Sequence, residues 1–448
     1  MRLRGGAALL LLVAACGEAP AVRPQWTVTL RTDAPVPLVA ERLLVEVTNV
    51  DGSLACESCR RLIDASSATA WPISFGIAES PAPLRVRARL YRTRATTPGG
   101  APDPLATIEA VVMLPAAVGP VVVPLRMACF GEAGTSAESC DPSTGALAPI
   151  APAASGTGDP ALLPGSWAEA SATSCASPAP PGMACVAGGL FFFGDVDPAA
   201  VAAHDPLVRV SSFFADRDEL SVGRARVLLA ANAVVGAPRL HTDDKSATSV
   251  CTYRGTQDGS SDAMPLNCVA RDLAEALCAA EGKRLLTEAE FAYASANGAR
   301  GSRYPWGDDD DICAHAVVAR DASLDVELTT RSSMSIECRS QNGRTLPFGP
   351  VGGDVPTRDQ TVDPVGLRNL GGNLAEWVQD TSAPLDDPCW RGRPLLVDPV
   401  CRTGTTPTLR GGAWSFPAWM ASATFRTSSV ASSPNYAGVR CARDAAPR

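Results

Sequence analysis

Histidine is nearly absent. The chain of 448 residues holds three, His204, His241 and His315, none in HExxH or HxH spacing. A histidine-rich metal centre is therefore unsupported. Basic charge is also short. Lys and Arg number 39 against 47 Asp and Glu, a formal −8, which argues against a nucleic-acid partner, because such proteins carry basic patches. Apolar runs long enough to span a bilayer are missing; AALLLLVAA at residues 7–15 is too short. No GxSxG elbow, Walker loop or internal repeat occurs.

What is present begins with that short run. Arg2 and Arg4 precede it, and Val13, Ala14, Ala15 and Cys16 follow as a lipobox. The pattern predicts a lipoprotein signal peptide over residues 1–15, lipid on Cys16 and a tether over 16–25. The competing reading is ordinary secretion with small residues before a cleavage site. Losing Arg2 and Arg4 takes the charge from −8 to −10. Gly17 replaces the usual inner-membrane retention Asp, so the outer membrane or cell surface is expected.

Cysteine usage fits an oxidising compartment. Of fifteen cysteines, fourteen are left once Cys16 is set aside. Local spacing suggests Cys56/Cys59, Cys129/Cys140, Cys175/Cys185, Cys251/Cys268, Cys313/Cys338 and Cys389/Cys401. Cys278 and Cys441 are left over and would pair at long range; sequence alone does not fix connectivity. The CxxC of Cys56 and Cys59 suits a disulfide, a redox pair or half a zinc site.

Period-two segments recur early: WTVTLRT from Trp26, LLVEVTNV, LRVRARLYR and VVVPLRM. They predict an antiparallel β-sandwich over residues 26–140. Residues 141–174, rich in Pro, Ala, Ser and Gly, read as a linker. In residues 175–448 helices are expected at 222–235, capped by Ser221 and stopped by Gly236, and at 271–281, with Gly282 at C′. A third opens with a capping box, Thr287 and Glu290. The acidic run Asp308 to Asp311 reads as a solvated loop.

Ordered motifs fill the last part of the chain: GGLFFFG (188–194), FFADRDELSVGRARVLL (213–229), NCVARDLAEALCAAEGKRLLTEAEFAYA (267–294), YPWGDD (304–309), VGLRNLGGNLAEWVQD (365–380), RGGAWS (410–415) and GVRCAR (438–443). The series resembles the sulfatase-modifying-factor domain of formylglycine-generating enzymes. The resemblance implies a loop-rich α+β fold related to C-type lectins. It also implies a Cys278–Cys441 disulfide. For calcium it implies ligands at Asn369, Gly372, Leu374 and Glu376, an oxygen set suited to that ion; alternatively Asn369 and Glu376 only cap turns. Ala316 stands where the family's other calcium site has an Asn.

Active relatives bind copper(I) through two thiols after the RGG turn, and soft thiolates suit that ion. Phe416 and Ala421 occupy those places, and no cysteine lies between Cys401 and Cys441. Copper is not expected. Trp377 and Trp414 read as core. Arg410, Arg426 and Arg440 either pair with Glu288 and Glu376 or line a cleft for an acidic ligand; ion pairs are expected. The leading expectation is an envelope lipoprotein whose second domain binds a protein or glycan ligand without catalysis. The alternative is a divergent oxidase or maturation enzyme acting on an exported protein. A structural partner of an envelope complex is a third reading.

Overall fold

Alternation of apolar and polar residues builds ten short strands before residue 156: β1 (Gln25–Thr32), β2 (Arg42–Asn49), β3 (Arg60–Asp64), β4 (Ile73–Ala78), β5 (Leu84–Tyr91), β6 (Thr107–Met113), β7 (Pro120–Leu125), β8 (Glu138–Cys140), β9 (Leu147–Pro149) and β10 (Ala154–Ser155). The computed structural model describes residues 23–194, 205–243, 247–320, 338, 349, 351, 359–362, 365–391 and 394–446. The signal peptide, most of the tether, Cys16 and His204 lie outside the described residues. Among the described residues no helix is long and apolar enough to cross a membrane.

Eight of these strands form two four-stranded sheets, ordered β3-β2-β5-β6 and β10-β7-β1-β4, with one hydrophobic core between them. Val45, Val86 and Ile108 from one sheet and Val28, Leu30 and Val123 from the other all lie in it. The arrangement is not wholly antiparallel: β1 runs antiparallel to β4 but parallel to β7.

Residues 141–174 do not form a free linker. β10 pairs with β7, the backbone of Ala153 donates to Met113, and Leu162 is buried. Trp167 packs on the first core and donates its backbone N–H to Asp33. Composition suggested a linker, but parts of the segment's backbone find partners on the β7 edge, on β8, at Met113 and in the loop at Asp33 and Ala34.

The second half is mixed, with many short strands and few helices. It comprises β11 (Met183–Val186), β12 (Gly189–Phe192), β13 (Leu207–Val210), β14 (Phe213–Asp216), α1 (Val222–Ala230), α2 (Arg271–Ala280), β15 (Arg284–Leu285), α3 (Glu288–Ser295), α4 (Ile312–His315), β16 (Ala375–Thr381), α5 (Pro388–Arg391), β17 (Leu395–Val397), β18 (Pro407–Arg410), β19 (Arg426–Ser428), β20 (Ala437–Gly438) and β21 (Cys441–Asp444). Three small sheets result, ordered β11-β14-β21-β15, β12-β13-β17 and β19-β18-β16-β20. The halves meet directly. Leu190 and Leu207 enter the first core, and the Arg92 guanidinium sits 3.8 Å from the Phe192 ring centroid.

Local chemistry sets the helix ends. The Ser221 hydroxyl accepts from Arg224 N–H, and Thr287 and Glu290 close a reciprocal capping box. α2 ends in a Schellman motif: Lys283 N–H donates to Cys278 and Gly282 N–H to Ala279, with Gly282 at φ +67°. α1 ends five residues before the expected Val235. Asn232 adopts φ +51°, and Ala233 and Asn232 donate to Leu228 and Leu229, the same motif with Asn at C′.

Seven disulfides join Cys56–Cys59, Cys129–Cys140, Cys175–Cys185, Cys251–Cys268, Cys278–Cys441, Cys313–Cys338 and Cys389–Cys401. The Cys278–Cys441 bond ties α2 to β21 across a separation of 163 residues. In the chain-entropy model a loop of this length restrains the unfolded chain by roughly 5 kcal/mol. The Cys278→Ala/Cys441→Ala double variant is expected to lose most of that, read as a lowered Tm, whereas removing Cys56–Cys59 should cost far less.

Candidate functional site

The site expected from sequence lies where the RGG turn after β18 meets the segment leading into β16. Two glycine pairs let these backbones touch. A Cβ on Gly412 would stand 2.2 Å from the Gly371 carbonyl oxygen, and one on Gly411 would stand 2.6 Å from that of Leu370. Trp414 N–H then donates to the Asn373 carbonyl at 2.9 Å, and Ala319 N–H to the Phe416 carbonyl at 2.8 Å.

Phe416 and Ala421 are both buried, at 4% and 0% exposure. The Phe416 ring meets Phe425 edge-on at 6.1 Å and Tyr436 at 5.1 Å, and Phe425 continues the series to Trp419 at 5.6 Å. Ala421 packs with Tyr304, Ala316, Val318 and Ala418. Among the described residues every cysteine is in a disulfide. Two clusters bring three potential ligand atoms together, Asp387/Cys389/Cys401 and Asp216/Glu281/Cys441. Their sulfurs are disulfide sulfurs, which lack the charge of a thiolate ligand.

Beside the turn lies a buried polar centre. Glu376 receives three hydrogen bonds from Arg440, Nε to both carboxylate oxygens at 3.0 Å and Nη2 to Oε1 at 2.7 Å. Arg440 also donates to the carbonyls of Asp216 and Arg368. Burial works against its charge, and the Glu376 carboxylate more than offsets that, so the guanidinium pKa is raised. Glu219 is buried alongside, accepting from the side-chain amides of Asn369 at 3.0 Å and Asn373 at 2.9 and 3.0 Å. Desolvation pushes Glu219 up to about 8, opposed by Arg440 and reinforced by Glu376. Asp359 accepts from Gly371 N–H and is pushed up to about 7, again by burial. Asn369 and Asn373 sit at φ +60° and +68°, a conformation Asn tolerates better than most residues.

A second centre is Glu288, fully buried, with Arg426 Nε and Nη2 at 2.8 and 2.9 Å and Arg410 Nη1 at 3.5 Å. Asp380 accepts from the backbone N–H of Glu288 at 2.7 Å and of Cys401 at 2.6 Å. Burial, then the Glu288 charge, push Asp380 up to about 7. Arg410, Arg426 and Arg440 are therefore structural ion pairs, not the lining of an anion cleft. Trp377 and Trp414 are core residues at 1% and 0% exposure.

Residues 168–445 match the sulfatase-modifying factor enzyme 1-like domain. The chain belongs to that family. A formylglycine-generating enzyme of Streptomyces coelicolor is 31% identical over 174 residues, 37% of this chain and 48% of the relative, so the chain spans about half the length of that relative. Among solved structures, PvdO from Pseudomonas aeruginosa aligns at 20% identity and a TM-score of 0.41, covering 58% of this chain and 94% of PvdO. CarF aligns at 17% and 0.35, covering 60% and 98%.

Of the residues the sulfatase-modifying-factor resemblance implies, Asn369 and Glu376 fall in the first polar centre, with Gly372 and Leu374 on the chain between them. Glu219 and Asp359 were not anticipated. Glu219 carried a faint signal, an acid between the buried stretch Phe213–Asp216 and Leu220; Asp359 carried none. The histidines are dispersed. His241 bonds the Cys251 carbonyl and Asp243, while His315 stacks on Trp306 and meets Asp309 at 2.9 Å. Asp308 to Asp311 are exposed, with Asp311 capping α4.

Breaking the buried pair from one side is expected to be costly. Arg440→Met leaves Glu376 and Glu219 buried without their guanidinium and should lose about 3–5 kcal/mol in urea denaturation. Arg440→Met combined with Glu376→Leu should recover part of the loss. A single-variant loss below about 1 kcal/mol would contradict the reading.

Proposed function

We propose that this chain is an exported lipoprotein, held through Cys16 at the outer membrane or cell surface, whose sulfatase-modifying-factor domain binds a protein or glycan ligand and no longer makes formylglycine. The observation that carries the proposal is the burial of Phe416 and Ala421 in apolar packing where active relatives hold two thiols. An apolar ring and a methyl group offer copper(I) no ligand, and the pairing of every described cysteine leaves none to substitute. The seven disulfides suit an oxidising compartment.

The first half serves in this reading as a β-sandwich spacer or binding module. Trp419, half exposed and braced by Phe425, lies in the turn between Phe416 and Ala421 and offers a rigid aromatic surface to a ligand. Purified protein loaded with copper should leave the cysteine of a CxPxR peptide unconverted by mass spectrometry, and should show no free thiol before reduction. Robust conversion would overturn the proposal, and one or two reactive thiols would favour the oxidase alternative.

We also infer a calcium site at Asn369, Gly372, Leu374 and Glu376. Oxygen donors of this type suit a hard cation. The support is a surplus of carboxyl groups: Glu219 and Glu376 are buried together beside the Arg440 guanidinium, and the Glu219 hydrogen bonds come from the Asn369 and Asn373 amides. Added calcium should raise the Tm of chelator-treated protein, by about 2.7 kcal/mol of stability at a hundredfold excess over Kd. Asn369→Gly, which keeps the backbone conformation but removes the side-chain oxygen, should abolish the rise. No calcium-dependent shift in the unaltered protein would remove the site.

A further inference from the structure

The first half carries a cleft that the family resemblance does not touch. β3 and β4 are each the terminal strand of their sheet. Between them the core is left open as a cleft of about 660 Å³, within the range of small-molecule sites. Its walls are inward-facing core positions: Val45 and Val47 on β2, Ile63 on β3, Phe75 and Ile77 on β4. Ile63, Phe75 and Ile77 are only partly buried, so apolar surface that belongs to the core meets solvent here.

One charged side chain lines the cleft, Arg61. Strand alternation puts it on the same row as Ile63. Its neighbour Arg60 meets Glu46 at 3.5 Å. Among the described residues Arg61 has no carboxylate partner. Asn49, Ser58, Ser74 and Ser80 also line the cleft, but carry no charge. An exposed cation beside these apolar core positions is complementary to a molecule with a long apolar body and a single negative end. A peptide strand would instead follow the open edge of β4 and satisfy its backbone groups, leaving the space between the sheets unfilled.

We infer that this cleft binds a long-chain fatty acid, with the alkyl chain between the two sheets and the carboxylate paired with Arg61. The Cys56–Cys59 disulfide, which also lines the cleft, is then part of its wall and not a redox centre. The site does not depend on the reading of the second domain.

The test is titration calorimetry on the full chain with hexadecanoate, dodecanoate and 1-hexadecanol below their aggregation limits. Hexadecanoate should bind at one site, and affinity should climb by up to about fourfold per added methylene until the cleft is full. Arg61→Gln, an exposed change that should leave the Tm unaltered, should weaken the acid by about tenfold or more and leave the alcohol unaffected. Absence of saturable binding overturns the inference. So does equal affinity for acid and alcohol with no effect of Arg61→Gln, which would mark a nonspecific apolar surface. Binding seen only in a Cys16→Ser chain would assign the cleft to the protein's own acyl anchor. A dimer that hexadecanoate fails to dissociate would assign it to a second copy; either result overturns the inference.

Discussion

Arg440 is the point on which the second half turns. It has no exposed surface, yet its guanidinium reaches the Glu376 side chain on β16, the Asp216 carbonyl at the end of β14 and the Arg368 carbonyl of the segment entering β16. It sits between β20 and β21, one residue before the cysteine that binds α2. Burying such a cation is expensive unless its donors are satisfied and a counter-charge is at hand. Here Nε, Nη1 and Nη2 all find acceptors. The need to satisfy them fixes how the closing strand, the central strand and the first sheet meet.

The same requirement recurs at Glu288, which holds Arg426 and Arg410 from β19 and β18 while its backbone is held by Asp380 at the end of β16. Both centres flank the RGG turn, so the turn is clamped between ion pairs whose carboxylates are buried. A loop-rich domain with few long elements has little repetitive hydrogen bonding to define it. Buried charge supplies that definition, because the loops must bring each buried ion to its counter-ion. Carboxyl groups still outnumber guanidiniums at the Glu376 centre, and burial favours the neutral form of Glu219, which in the proposed site a bound hard cation would shift toward the carboxylate.

Much of this was legible in the residues. The capping box at Thr287, the cap at Ser221 and the C′ glycine at 282 read directly, because each depends on neighbours within a few positions. Disulfides between close cysteines were legible for the same reason. What escaped depends on distant partners. Residues 141–174 have the composition of a linker, and only the open edge of β7 turns 154–155 into a strand. The parallel pairing of β1 with β7 joins residues more than ninety positions apart. Asn232 ends α1 early because Asn tolerates the left-handed conformation better than most residues, so the helix stops before the glycine at 236. Glu219 entered the polar centre through contacts with residues 150 and 154 positions away.

The two missing thiols take on their meaning from packing. Had Phe416 and Ala421 been exposed, their presence would mark only a lost ligand set on an otherwise intact cleft. Instead Phe416 stands in a run of aromatic contacts from Trp419 through Phe425 to Tyr436, and its carbonyl holds Ala319. Replacing a buried ring with a small side chain costs several kcal/mol through lost contacts and the cavity left behind. The surrounding core has therefore been fitted to the apolar residues. Phe416 and Ala421 are thus structural parts of the present core.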